Sequence, residues 1–230
     1  MGEALQRAWL RRGPAARLLR PISLLYRLLS AAHRLAYRRG WLRIDRLPVP
    51  VVVVGNVVAG GAGKTPAVLA LLDHLRERGI AAGVVSRGYG RSGDACAEVL
   101  PDADPARVGD EPLLLRRKAG VPVFVAARRA EAGRALLAAY PGTRVIVSDD
   151  GLQHHAMARD IEICVFDRRG LGNGWLLPAG PLREAWPRPV DLVLRHPDAD
   201  TLAGHRMSRV LSAHAVRADG SRMPLAGLFD

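Results

Sequence analysis

Hydrophobic positions along the chain fall into two rhythms. Val51-Val52-Val53-Val54 is a short β-branched run, the pattern of a strand buried on both faces. Runs at Ala82–Ser86, Val121–Ala126, Arg144–Ser148, Ile161–Phe166 and Asp191–Leu194 also read as strands, and Arg209–Arg217 as a further extended segment. Between them, Lys64–Arg78, closed by Gly79, and Arg128–Tyr140, with Ala and Leu on one side, read as helices. Strands and helices alternating at these lengths predict an α/β fold whose mainly parallel sheet carries helices on both faces. No internal repeat or low-complexity linker interrupts the alternation.

Ahead of the first strand only the helical rhythm is present. Leu18, Ile22, Leu25, Leu29, Ala32 and Ala36 form an apolar stripe at steps of four and three. Arg17, Arg20, Arg27, Arg34 and Arg38 take other positions of the same helix, and Trp9, Tyr26, Tyr37 and Trp41 add amphipathic rings. No run reaches the ~18 uncharged apolar residues that a membrane span requires, and the segment lacks the hydrophobic region and cleavage site of a signal peptide. Two readings fit it: an amphipathic helix lying on an anionic membrane surface, or a helix packed on its own domain with its arginines solvated.

Charge favours the first. The net charge of +12 is concentrated: residues 1–46 hold eleven arginines against two acids, and the rest of the chain is only +3. A local excess of this kind suits a lipid surface, and no nucleic-acid partner is expected. A hydrophobic content of 49% and a mean hydropathy of +0.03 describe a packed protein. The two cysteines make no disulfide framework, and Cys164, inside an apolar run, reads as a small core residue in a reducing compartment.

The chemistry lies at the strand ends. Gly55-Asn56-Val57-Val58-Ala59-Gly60-Gly61-Ala62-Gly63-Lys64-Thr65-Pro66 follows a strand and opens a helix, the context of a P-loop. The glycines let amides close on phosphate oxygens at a helix N-terminus. Lys64 reaches the β- and γ-phosphates, and the Thr65 hydroxyl ligates Mg²⁺. Val58 stands where G-x-x-x-x-G-K-[ST] has its first glycine, so Gly60 and Gly61 supply the turn. Lys64 is one of only two lysines in an arginine-dominated chain, as expected where a compact ammonium is needed. The fold is thus P-loop NTPase-like.

Asp149-Asp150-Gly151-Leu152-Gln153-His154-His155 ends another strand and reads as a Walker-B-type acidic pair, or as a capped turn. Asp110 and Glu111 precede a helix, where Asp110 is either an N-cap or a base accepting a hydroxyl proton. Ser86-Arg87-Gly88-Tyr89-Gly90-Arg91 offers arginines for phosphate, or is an ordinary glycine turn. Leu177-Pro178-Ala179-Gly180-Pro181-Leu182-Arg183-Glu184 is a rigid loop in which Glu184 is a candidate ligand or substrate contact.

Together and in this order, these motifs resemble the tetraacyldisaccharide 4′-kinases of lipid A biosynthesis. The resemblance implies transfer of the ATP γ-phosphate to the 4′-hydroxyl of a tetraacylated glucosamine disaccharide 1-phosphate. It further implies Mg²⁺ and a location on the cytoplasmic face of the bacterial inner membrane. By position, Val58 to Thr65 bind the nucleotide, Asp110 is the catalytic base beside Lys64, and Thr65, Asp149 and Asp150 are on the metal side. Arg87, Gln153, His154 and Glu184 then line the substrate site. The implied organisation is a basic membrane-proximal helix at 1–46, a P-loop kinase core at 47–205 and a connector strand at 206–230. The connector is expected to lead toward a second lobe that the chain lacks, leaving ATP binding intact and catalysis impaired. The alternative is a P-loop ATPase or switch without lipid kinase activity. Against it, Ala59 stands where such switches with a Gly-Gly-x-Gly-Lys-Thr loop carry an additional lysine, and the Asn-Lys-x-Asp motif of GTPases is missing.

Overall fold

The computed structural model describes residues 9–61, 63–208, 210, 213–216 and 221–224. Two helices, α1 (Pro14–Leu18) and α2 (Arg20–Arg38), precede the sheet. There follow β1 (Val51–Gly55), α3 (Lys64–Glu77), β2 (Ala82–Ser86), β3 (Ala97–Glu98), α4 (Pro105–Val108), α5 (Asp110–Ala119), β4 (Val123–Val125) and α6 (Arg129–Ala139). The described chain closes with β5 (Val145–Asp149), β6 (Ile161–Phe166), β7 (Leu192–Arg195), β8 (His205–Arg206), β9 (His214–Val216) and β10 (Arg222–Pro224).

The main sheet runs β3-β4-β2-β5-β1-β6-β7-β8 and is parallel except for β3, which pairs antiparallel with β4. The expected α/β architecture is therefore present. The two-residue edge strands β3 and β8 carry too little hydrophobic pattern to have been read from the sequence. Of the extended segment expected at 209–217, residues 214–216 pair antiparallel with 222–224, and the rest lies partly outside the described residues.

β1 shows why a run of valines folds here. Val51 and Val53 point into a core shared with Leu47, Ala132 and Leu136, while Val52 and Val54 point into a second core shared with Val68 and Leu72 of α3 and Leu113 and Leu115 of α5. Helices thus cover both faces, and each valine is removed from water. Packing of α6 on β2 is close enough to need Gly83, where a Cβ would lie 2.7 Å from the Leu136 methyls. Cys164 is fully buried, as its apolar surroundings in sequence indicate.

Helix α2 packs in an unexpected sense. Its inward side is polar and aromatic: the Ser23 hydroxyl donates to the Leu176 carbonyl at 2.8 Å, and the Tyr26 hydroxyl to that of Arg183 at 2.8 Å. The apolar stripe faces out, with Leu18 at the end of α1 and Ile22, Leu25 and Leu29 of α2 between 55% and 81% exposed. The helix is thus packed on its domain, as the second reading expects, and keeps its apolar face uncovered. Among the described residues no helix is long and apolar enough to cross a membrane.

Candidate active site

The C-terminal ends of β1, β2 and β5 bring the sequence motifs to one edge of the sheet, where open α/β folds place their ligands. The loop after β1 reaches α3 through Gly63, which caps the helix with φ +78°, and Gly60 has φ +97°. Both conformations favour glycine. Val58 is buried and pairs with Leu182, while the Ala59 N–H donates to the Pro181 carbonyl at 2.7 Å. These two residues therefore set the shape of the loop. Ala62 lies outside the described residues.

Lys64 is 7% exposed, and its Nζ stands 3.4 Å from Asp150 Oδ1. This contact joins the P-loop to the acidic pair. Asp150, at φ +48°, also accepts from Arg183 Nη1 at 3.1 Å on each carboxylate oxygen. Burial alone would raise its pKa, but Lys64 and Arg183 outweigh burial and hold the carboxyl below its ordinary value. Asp149 is in the opposite state. It is 1% exposed, and neither carboxylate oxygen has a hydrogen-bond partner among the described residues. Burial, then the negative charges of Glu111 and Asp150, raise its pKa to about 7. Arg129 Nη2 donates to the carbonyls of Asp150 at 2.7 Å and Asp149 at 3.4 Å, tying α6 to this turn.

A cavity of about 310 Å³ opens beside these groups, lined by Arg87, Glu111, Arg129, Asp150, Gln153, His154 and Arg183, with Ser86 and Tyr89. Arg87, Asp150, Gln153 and His154 are thus gathered as expected. His154 is neutral near pH 7, because burial, followed by Arg129 and Arg159, lowers its pKa to about 4. Glu184 lies behind the wall: it is 3% exposed, accepts from Gln153 Nε2 at 2.7 Å and sits 3.6 Å from Arg188 Nη1. Asp110 is at the exposed N-terminal turn of α5 and is not among the lining residues. Its reading as an N-cap is corrected, because Gly109 holds that position, at φ +93° against Gly88 and Tyr89. A larger cavity of about 650 Å³ is lined by Gly60 and Gly61 of the P-loop, the Asp167–Arg169 turn after β6, Trp9 and Pro181.

The sequence profile of the tetraacyldisaccharide-1-P 4′-kinases matches residues 15–224. The chain belongs to this family. It is 60% identical to a tetraacyldisaccharide 4′-kinase of Acidovorax sp. (strain JS42), over 99% of this chain and 68% of that protein. With the same enzyme of Delftia acidovorans the identity is 58%, over 97% and 67%. Among solved structures it resembles LpxK from Aquifex aeolicus in complex with ATP, with TM-score 0.81 and 30% identity over 94% of this chain and 71% of that one.

Three residues in the cavity wall went unread in the sequence. Arg183 adjoins Glu184 in a loop whose backbone path no local pattern fixes. Arg129 opens a helix that reads as apolar, and its place after β4, at the ligand-bearing end of a parallel strand, was the available signal. Glu111 adjoins Asp110 at the start of the same helix, and the sequence does not tell which of the two faces the cavity.

Proposed function

We propose that the chain is an ATP-dependent lipid kinase that moves the γ-phosphoryl group of ATP to the 4′-hydroxyl of a tetraacyl glucosamine disaccharide 1-phosphate. The observation that carries this is the Lys64–Asp150 contact, which joins a P-loop to a cationic, sugar-sized cavity in a chain of the kinase family. Phosphoryl transfer asks the protein chiefly for positioning and charge neutralisation. In this reading the Gly60–Thr65 turn cradles the phosphates and Lys64 swings from Asp150 to the β- and γ-oxygens. Arg87, Arg129 and Arg183 supply positive charge around the transferred group, while Gln153, held by Glu184, and neutral His154 orient the acceptor sugar. Asp110, beside the Arg87–Arg91 loop, takes the hydroxyl proton.

The acids fit Mg²⁺. Asp149 offers two buried oxygens without hydrogen-bond partners among the described residues, a charge that an adjacent cation would satisfy. Thr65, Asp149 and Asp150 would hold the ion, which when bound neutralises charge on the β- and γ-phosphate oxygens.

Acyl chains keep such an acceptor in a bilayer. In this reading the exposed leucines of α2, with Arg20, Arg27 and Arg38 beside them, are the surface that meets anionic lipid, and the protein works on the cytoplasmic face of the inner membrane, where its ATP is supplied. The test is transfer of radiolabelled phosphate from ATP to the disaccharide lipid. Transfer that survives both Lys64→Ala and Asp110→Ala would sink the mechanism. ATP binding without transfer by the unaltered chain would favour a nucleotide-binding role.

A further inference from the structure

Two side chains hold the P-loop carbonyls, Asn56 from the start of the loop itself and Arg169 from a turn distant in the chain. Asn56 Nδ2 donates to the carbonyls of Val58 at 2.5 Å and Gly60 at 3.3 Å. Arg169, from the turn after β6, takes the alternate carbonyls: Nη1 donates to Ala59 at 3.3 Å and Nη2 to Gly61 at 3.1 Å. Asp167 fixes the arginine, accepting from Nε at 2.9 Å and from the Arg169 backbone N–H at 2.9 Å, with Nη2 also 2.7 Å away. Asp167 is only 12% exposed and Arg169 28%, so the pair is sheltered rather than a loose surface contact.

The geometry has a direct consequence for phosphate binding. A peptide unit is planar and trans, so its N–H points opposite to its C=O. Holding the Ala59 carbonyl on the guanidinium turns the Gly60 N–H away from Arg169, and holding the Gly60 carbonyl on Asn56 turns the Gly61 N–H the other way. The Ala59 N–H is already committed to Pro181. Gly60 itself approaches Arg169 closely, since a Cβ there would lie 3.2 Å from Nη1. We propose that the Asp167–Arg169 pair is a positioning element for the nucleotide: it presets the P-loop amides by clamping the carbonyls of Ala59 and Gly61, and so raises affinity for the ATP phosphates. A loop ordered before ligand arrives spares the complex the entropy of ordering it.

The inference rests on the P-loop reading, and its test separates the two. Binding of ATP with Mg²⁺ to the whole chain is measured by calorimetry, with Lys64→Ala as the reference for a lost site. Arg169→Ala is expected to weaken ATP binding about tenfold, the scale of one charge-assisted hydrogen bond. Arg169→Lys recovers part of the loss, because an ammonium lacks the two-pronged donor. Asp167→Asn costs less, and Asp167→Asn with Arg169→Ala costs no more than Arg169→Ala alone, the signature of one unit. In the transfer assay KM for ATP rises and KM for the lipid acceptor does not, which loss of fold would not produce. Where Arg169→Ala fails to fold, Arg169→Lys and Asp167→Asn carry the same comparison. Undiminished ATP binding by folded variants, or equal rises in both KM values, would overturn the clamp alone. No ATP binding by the unaltered chain would overturn the P-loop reading with it.

Discussion

At Asp149 the fold imposes a charge problem that only a ligand or a proton can relieve. The carboxyl holds its proton up to about pH 7 when folded, whereas the unfolded chain releases it at the ordinary carboxylate value of 3.8. The unfolded state therefore binds fewer protons between these limits, and the contribution of Asp149 to stability falls as pH rises from about 4 to about 7. Asp149→Asn removes that slope. In the absence of nucleotide it is expected to melt roughly 8–16 °C above the parent chain at pH 8 and to converge with it near pH 3.5. Thermal melts across that range decide the matter, and parallel curves would show that Asp149 carries no buried charge. Mg²⁺ with ATP should stabilise the parent and fail to stabilise the variant. Lys64→Ala is expected to lower transfer by about 10²–10³-fold, the usual cost of removing a preorganised donor to developing charge.

Helix α2 has two unlike faces, a hydrogen-bonded one against the domain and an apolar one left exposed. Substituting Leu25 and Leu29 by Glu touches side chains 57% and 60% exposed, so melting is expected to change little while co-sedimentation with anionic vesicles falls severalfold. Tyr26→Phe removes the hydrogen bond to the Arg183 carbonyl and should cost about 1 kcal/mol in denaturant unfolding with no change in vesicle binding. The converse pattern, with vesicle binding lost in Tyr26→Phe and kept in the leucine variants, would assign the membrane surface to the wrong face.

For the whole molecule, the N-terminal segment is bonded to the loop that shapes both cavities. Trp9 Nε1 donates to Pro178 at 2.9 Å, Asn173 N–H donates to Trp9 at 2.8 Å, and Arg12 Nε donates to Asn173 at 3.0 Å. The same loop holds the Ala59 N–H through Pro181 and supplies Arg183 to Asp150. Deleting residues 1–46 should therefore abolish vesicle binding and also weaken ATP binding severalfold. Undisturbed nucleotide affinity in that deletion would show the segment to be a detachable anchor.

The sequence determined the fold class, because periods of two and about three and a half in hydrophobicity are local and survive without tertiary information. It likewise determined the P-loop, whose glycines, lysine and flanking strand and helix are contiguous, and the concentration of net positive charge in residues 1–46. Only tertiary structure decided which acid is charged: Asp149 and Asp150 are neighbours in sequence, yet burial drives one pKa up and Lys64 and Arg183 bring the other down. Arg183, Arg129 and Arg169 took their places through contacts distant in the chain, which no local pattern encodes. The outward leucines of α2 belong with them, since an apolar stripe announces a helix and leaves unsaid whether protein or bilayer covers it.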